Sequence, residues 1–221
     1  MKKALQCSFI GYLGMLLFIF SIVLGCAHAP EKELPVDVLY KEAQEYAKSG
    51  KVEKASEAYM KVRTFYPGDD LAKQSLLELS DLYYKNEEYV SALSSYQEFG
   101  MLYPTDAKTE YCMFKSAMCH FKQMLTFDRD QTETAKSIKS FEDFLRMYPN
   151  SIYSNEANEN LKKSKILLAQ NGIYIGKFYM KKEKWHEAAC KRFNEVKKGF
   201  PGLGLDEELD KLIGQSCGAK K

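Results

Sequence analysis

Few residues in this chain are of the types that do chemistry, and their spacing limits what they can do. His28, His120 and His186 are scattered along 221 residues. Cys112, Cys119 and His120 share one stretch, but a C-x6-C-H spacing fits neither a zinc knuckle nor a haem attachment site. Asp128-Arg129-Asp130 offers two carboxylates. An EF-hand loop starting at Asp128 would need glycine at its sixth position, where Glu133 stands. Asp130 instead reads as the cap of a following helix, with Glu133 three residues on in the capping-box place. The motifs G-x-S-x-G, H-E-x-x-H and C-x-x-C and a phosphate loop are all missing from the sequence. The expectation is a binding protein without metal or cofactor, not an enzyme.

The most specific chemical signal lies at the N-terminus. Lys2 and Lys3 form a short basic segment, residues 4–30 hold no Asp, Glu, Lys or Arg, and 9–24 is densely apolar. The run closes on Val23-Leu24-Gly25-Cys26. A small residue before a cysteine at that place resembles a lipobox, so residues 1–25 are expected to be a lipoprotein signal peptide and Cys26 the acylated mature N-terminus. Each buried methylene contributes roughly 0.8 kcal/mol, so two or three acyl chains hold a protein on a membrane far more firmly than one. Ala27 follows the cysteine where many inner-membrane lipoproteins carry Asp, which points to the outer membrane. Residues 26–35, with two prolines and three charges, read as a lipidated tether and 36–221 as the folded domain.

Charge and cysteine use narrow the class further. The net charge is +2, the excess supplied by Lys2 and Lys3, so the rest of the chain is balanced and lacks the footprint of a nucleic-acid binder. Cys112 and Cys119 are seven apart; on one helix their Cα atoms would stand about 10 Å apart at 1.5 Å per residue. That exceeds the bridging limit of about 7 Å, so the two cannot pair with each other. Cys112, Cys119, Cys190 and Cys217 are expected to be buried free thiols.

The elements that carry these residues follow from a repeat. Pro67, Pro104, Pro149 and Pro201 each follow an aromatic residue, Tyr66, Tyr103, Tyr148 and Phe200, and each pair closes an amphipathic stretch. Counting back from the prolines recovers the 34-residue tetratricopeptide (TPR) pattern. Leu39, Tyr46, Gly50, Ala55 and Tyr59 fall in its places in the first unit; Leu76, Leu79, Tyr83, Ala92 and Tyr96 fill the second. The third keeps Phe141, Phe144 and Pro149 around an insertion at 125–132, and the last supplies Ala189, Phe193 and Val196. The spacing predicts helices over 36–49, 52–66, 71–85, 89–102, 107–123, 131–148, 154–182, 185–200 and 206–217. Gly172 or Gly176 is the place for a kink in the long one. The fold class expected is all-α: a TPR-type helical-hairpin solenoid of about four repeats plus a capping helix. Its groove would be lined mainly by the first helix of each unit. In the first two units those positions carry Tyr40, Gln44, Lys48, Leu77, Asp81, Tyr84 and Lys85. Two rings, amide and hydroxyl groups and charges of both signs suit an extended peptide.

The insertion also carries a family signal. Phe127, the run Asp128-Arg129-Asp130-Gln131-Thr132, Phe141-Glu142-Asp143-Phe144 and Tyr148-Pro149-Asn150-Ser151 resemble the BamD (ComL) family. Members of that family are lipoprotein subunits of the outer-membrane β-barrel assembly machinery. The resemblance extends over the whole mature chain except its end, where 206–221 leave room for about one helix in place of a fifth repeat. It implies residence at the periplasmic face of the outer membrane, held by lipid. It also implies docking on the POTRA domains of the barrel subunit BamA, association with other assembly lipoproteins, and reception of unfolded outer-membrane protein precursors. Arg192, in Lys191-Arg192-Phe193, matches a basic position in the family's BamA-facing region. The alternative is a periplasmic repeat lipoprotein tied to cell-envelope or peptidoglycan organisation.

Overall fold

The computed structural model describes residues 34–218; the expected leader, Cys26 and most of the expected tether lie outside that range. Nine α-helices follow one another among the described residues: α1 Val36–Lys48, α2 Val52–Phe65, α3 Asp70–Lys85, α4 Tyr89–Leu102, α5 Lys108–Lys122, α6 Thr132–Met147, α7 Ser154–Met180, α8 His186–Gly199 and α9 Asp206–Cys217. A 3-10 turn, Glu183–Trp185, leads into α8. Every boundary falls within two residues of the span predicted from the repeat. Each helix packs chiefly on its chain neighbours, which makes four hairpins, α1–α2 to α7–α8, with α9 on the last. This is the expected all-α, TPR-like solenoid.

The aromatic-proline pairs end the helices as their chemistry requires. Proline cannot donate to the preceding turn and drives the residue before it out of the α region. Tyr66, Tyr103, Tyr148 and Phe200 accordingly share one backbone geometry, with φ from −128° to −134° and ψ from 54° to 64°. Each still donates its N–H to the carbonyl four residues back. Two residues past each of the first three prolines, a short polar side chain accepts a backbone N–H two residues further on. Asp69 takes Leu71 at 2.8 Å, Asp106 takes Lys108 at 2.8 Å and Ser151 takes Tyr153 at 3.0 Å. A donor that a helix start leaves unpaired is thereby satisfied three times by one local rule. The fourth turn has Leu203 at that place and uses Gly202 and Gly204 at φ +71° and +79° instead. Within the first hairpin Gly50 turns at φ +72°; in the second, Glu87 adopts φ +63° at the matching point.

Packing follows the same periodicity. Ala55, Ala92 and Ala189 are fully buried, with the rings of Tyr59, Tyr96 and Phe193 beside them in the respective seams. Phe141 and Phe144 fill the third seam. A fully buried side chain of this size contributes roughly 1.5–3 kcal/mol, and no single hairpin could bury it alone. Replacing Ala92 by Leu is expected to overpack the contact and cost about 1–3 kcal/mol. Lys85→Gln, on an exposed residue, should stay within about 0.5 kcal/mol. Chemical denaturation of the two variants checks this, and equal shifts would contradict the register.

Three local expectations are corrected. α7 runs unbroken through Gly172 and Gly176, and the glycines serve close packing and not a kink. A Cβ on Gly172 would stand 2.4 Å from Val196 Cγ2, and one on Gly176 would stand 2.3 Å from the Phe193 ring. Secondly, Cys190 and Cys217 are joined in a disulfide, whereas Cys112 and Cys119 are free and buried. The packing of α9 on α8 brings the first pair to a Cα separation of 5.1 Å across 27 residues, inside bridging range. Thirdly, Asp130 caps α6 by accepting Thr132 N–H at 2.9 Å, but Glu133 does not complete a capping box. Its carboxylate turns instead to Nδ1 of the buried His120 at 2.7 Å and to Lys136 at 2.8 Å.

Candidate functional site

The first helices of the opening units present the residues expected to hold a peptide, and the structure shows what each of them does. Tyr40 and Gln44 sit one turn apart on α1 and both reach Glu78 on α3. The phenol donates at 2.5 Å and the amide at 3.2 Å to the same carboxylate oxygen. Tyr59 of α2 donates to the other oxygen at 2.5 Å. Burial, then the Glu78 carboxylate, raises both phenol pKa values above the ordinary tyrosine range. Glu78 therefore ties the first unit to the second.

Asp81 performs the corresponding role one unit on. Its Oδ1 accepts the phenols of Tyr96 on α4 at 2.5 Å and Tyr111 on α5 at 2.7 Å. Leu77 packs beside the core of the second unit. Tyr84 meets Tyr89 edge to face with centroids 5.4 Å apart. Lys115 of α5 places its ammonium 3.2 Å from the Tyr84 ring centroid. Burial pushes the Tyr84 phenol up to about 12. Lys48 and Lys85 are the exposed members of the set. Five of the seven residues thus join neighbouring helices, and two stand in solvent. Glu78 and Lys115 were missed in the sequence. A tyrosine and an amide four apart on one side of α1, both able to donate, were the available signal for an acceptor such as Glu78.

The signature loop positions a second surface. Gln131 donates to the carbonyls of Thr126 at 2.9 Å and Arg129 at 3.0 Å, and it accepts from Thr134. Asp130 is committed to Thr132. Asp128 and Arg129 remain exposed, and hydrogen bonding to Thr126 lowers the Asp128 pKa below the usual carboxylate range. So braced, the loop lays Phe127 against α7. Asn171 donates to the Phe127 carbonyl at 2.7 Å, and the ring meets Tyr174 edge to face at 5.7 Å. Phe127, Tyr174, Phe178 and Trp185 are all exposed, and Phe178 stands 6.3 Å from Trp185. An exposed aromatic row is the kind of surface that anchors a partner chain.

Arg192 lies on α8 against Gly172 of α7. Its guanidinium makes one long contact to Glu195 at 3.4 Å, while its buried Nε has no hydrogen-bond partner. The Nε is thus enclosed between α8 and α7, and Nη1 carries the contact to Glu195. Among the described residues no group of His, Cys, Asp and Glu is arranged to hold a metal ion, and no helix is long and apolar enough to cross a membrane.

Consecutive helical hairpins, each packed on its chain neighbours, define a TPR-like repeat array. More narrowly, the chain belongs to the YfiO family of outer membrane lipoproteins, which it matches over residues 32–212. Among curated proteins it is similar to the outer membrane protein assembly factor BamD of Vibrio cholerae, with 29% identity over 197 residues, 84% of this chain and 81% of that one. The BamD of Caulobacter vibrioides is 27% identical over 165 residues, 72% of this chain and 54% of that one. The BamD of Haemophilus influenzae is 24% identical over 218 residues, 90% and 83% of the two chains. These relatives carry the family name to which the insertion loop pointed.

Proposed function

We propose that this chain is a non-enzymatic scaffold of the outer-membrane β-barrel assembly machinery, held by lipid at the periplasmic face of the outer membrane. The observation that carries the reading is the family match over 32–212, together with relatives named as outer membrane protein assembly factors. The C-terminal half docks on the POTRA domains of a BamA-like barrel subunit, beside other assembly lipoproteins. The exposed row from Phe127 to Trp185 and the partly exposed Arg192 guanidinium, which makes one long contact to Glu195, supply the aromatic and charged anchors that such docking needs. The first two units receive unfolded outer-membrane protein precursors through Tyr40, Gln44, Lys48, Leu77, Asp81, Tyr84 and Lys85. Tyr40, Gln44 and Asp81 are held in place by bonds within the chain, so they present fixed polar edges. Lys48 and Lys85 offer free charges.

Docking is tested by Arg192→Glu. Losing one partner of a desolvated charged pair costs about 2 kcal/mol or more. The variant should therefore recover much less of the barrel protein than the parent at matched expression, and undiminished recovery would remove Arg192 from the interface. Anchoring is tested by Cys26→Ser. The variant should no longer incorporate a fatty-acid analogue or be processed at residue 26, and unchanged labelling would sink the lipid anchor.

A further inference from the structure

An apolar side chain stands exposed at one repeat position of three successive units. Phe65, Leu102 and Met147 each precede the aromatic residue and proline that end a hairpin, and all three face solvent. Burial within the array does not account for them, and the fourth unit has Gly199 at that place. Met101 and Ile152, 74% and 86% exposed, stand at the second and third of these turns, and Val38 is exposed near the start of α1. Single apolar residues scattered over a surface need no explanation, but recurrence at one position along one edge does.

The edge is continuous. The starts of α1, α3, α5 and α7 and the ends of α2, α4 and α6 meet along it. Val36, Tyr66 and Leu71 pack on one cluster, Lys73 pairs with Asp106 at 3.0 Å, and Tyr111 meets the Tyr153 ring at 6.0 Å, so each turn touches the next. Charges around the row are taken up within the chain: Arg63 by Glu98, Lys73 by Asp70 and Asp106, and Arg146 by Asp143. That pairing leaves no excess of positive charge, so a zwitterionic headgroup layer suits this edge better than an anionic one. The edge is also where the folded chain joins its expected tether. Folding starts at Val36, and the ten residues 26–35 reach at most about 35 Å when fully extended.

We infer that this edge, through Phe65, Met101, Leu102, Met147 and Ile152, rests on the zwitterionic lipid surface into which the acylated Cys26 is inserted. This depends on the proposed lipid anchor and adds an orientation to it. Acyl chains at the end of a ten-residue tether hold the array near the bilayer but leave it free to turn. Apolar side chains entering the boundary between headgroups and acyl chains fix which edge faces down. The row from Phe127 to Trp185 lies along the opposite edge, about 20 Å away at 1.5 Å per helical residue, and is thereby turned toward partners.

The test uses the lipidated full chain in vesicles of phosphatidylcholine with brominated acyl chains, which quench tryptophan on contact. Trp185 is the sole tryptophan of the chain, so the parent reports the far edge. Leu102→Trp and Ile152→Trp, each combined with Trp185→Phe, report the near one. Both positions are exposed, so circular dichroism should show an unchanged fold. Emission should fall about twofold or more in the two edge variants and change little in the parent. Adding Met101→Glu and Met147→Glu to the Ile152→Trp variant should restore its emission, and brominated phosphatidylglycerol in place of part of the lipid should not deepen the quenching. Equal quenching of parent and edge variants, or no quenching of the edge variants in a chain that still floats with the vesicles, overturns the inference and leaves the anchor standing. Deeper quenching with phosphatidylglycerol overturns the zwitterionic surface. Emission of the edge variants that responds only to an added barrel protein overturns lipid contact in favour of a protein surface. A chain that does not float with the vesicles overturns both the inference and the anchor beneath it.

Discussion

Gly176→Val will destabilise the C-terminal half of the array by about 3 kcal/mol or more. The added carbons have nowhere to go: a Cβ there meets three atoms of the Phe193 ring at 2.3–2.8 Å. That ring is fully buried in the seam with Ile173, Val196 and Leu209, so it cannot swing aside without opening the cluster. The alternative is separation of α7 from α8, which would move Arg192 and the aromatic row out of register. Replacing glycine in a helix returns at most about 1 kcal/mol of propensity, less than the clash costs. Gly214, in α9, is the control, because a Cβ there meets nothing within 4 Å. Gly214→Ala should be neutral or stabilising by up to about 1 kcal/mol. Urea denaturation followed by circular dichroism reads both. If the two variants melt alike, the close approach of α7 and α8 is wrong.

Opening the Cys190–Cys217 bridge will release the capping helix at a cost of about 3–4 kcal/mol, the loop-closure value for a link spanning 27 residues. α9 needs this constraint because it packs mainly on α8, through Leu209 and Leu212, and has one flanking helix where interior helices have two. Its ion pairs, Lys177 to Glu208 at 2.6 Å and Lys197 to Asp210, are solvent-exposed and each contributes about 0–1 kcal/mol. Stability in a repeat array is a sum of local terms, so the loss should be confined to the C-terminal end. Hydrogen exchange with and without a dithiol reductant measures it. Amides of 206–217 should lose protection on reduction while those of α1–α4 keep theirs. Uniform protection in both states would contradict the staple.

The repeat was legible in the sequence because it is written in local rules. A proline after an aromatic residue stops a helix whatever surrounds it, and an alanine at a fixed offset marks where two helices meet. Both recur at the same spacing, so helix ends fell within two residues of expectation. Partnerships across helices were not legible. Spacing could exclude a bond between Cys112 and Cys119 on one helix, but joining Cys190 to Cys217 depends on how α9 lies against α8. Glu133 stood in the capping-box place and was drawn instead to His120 on another helix, a partner that no local pattern names. Gly172 and Gly176 read as flexibility in one dimension and are close packing in three. The residues proposed for the groove bond through Glu78 and Asp81, and those bonds required the neighbouring unit.

The central claim is that this chain is a working part of the barrel-assembly machinery. The most direct measurement is capture of the affinity-tagged full chain from detergent-solubilised cell envelopes, with mass spectrometry of what comes with it. The account predicts a large β-barrel protein bearing periplasmic POTRA domains in comparable amount, together with other assembly lipoproteins. Recovery of peptidoglycan-processing or division proteins with no such barrel protein would contradict it.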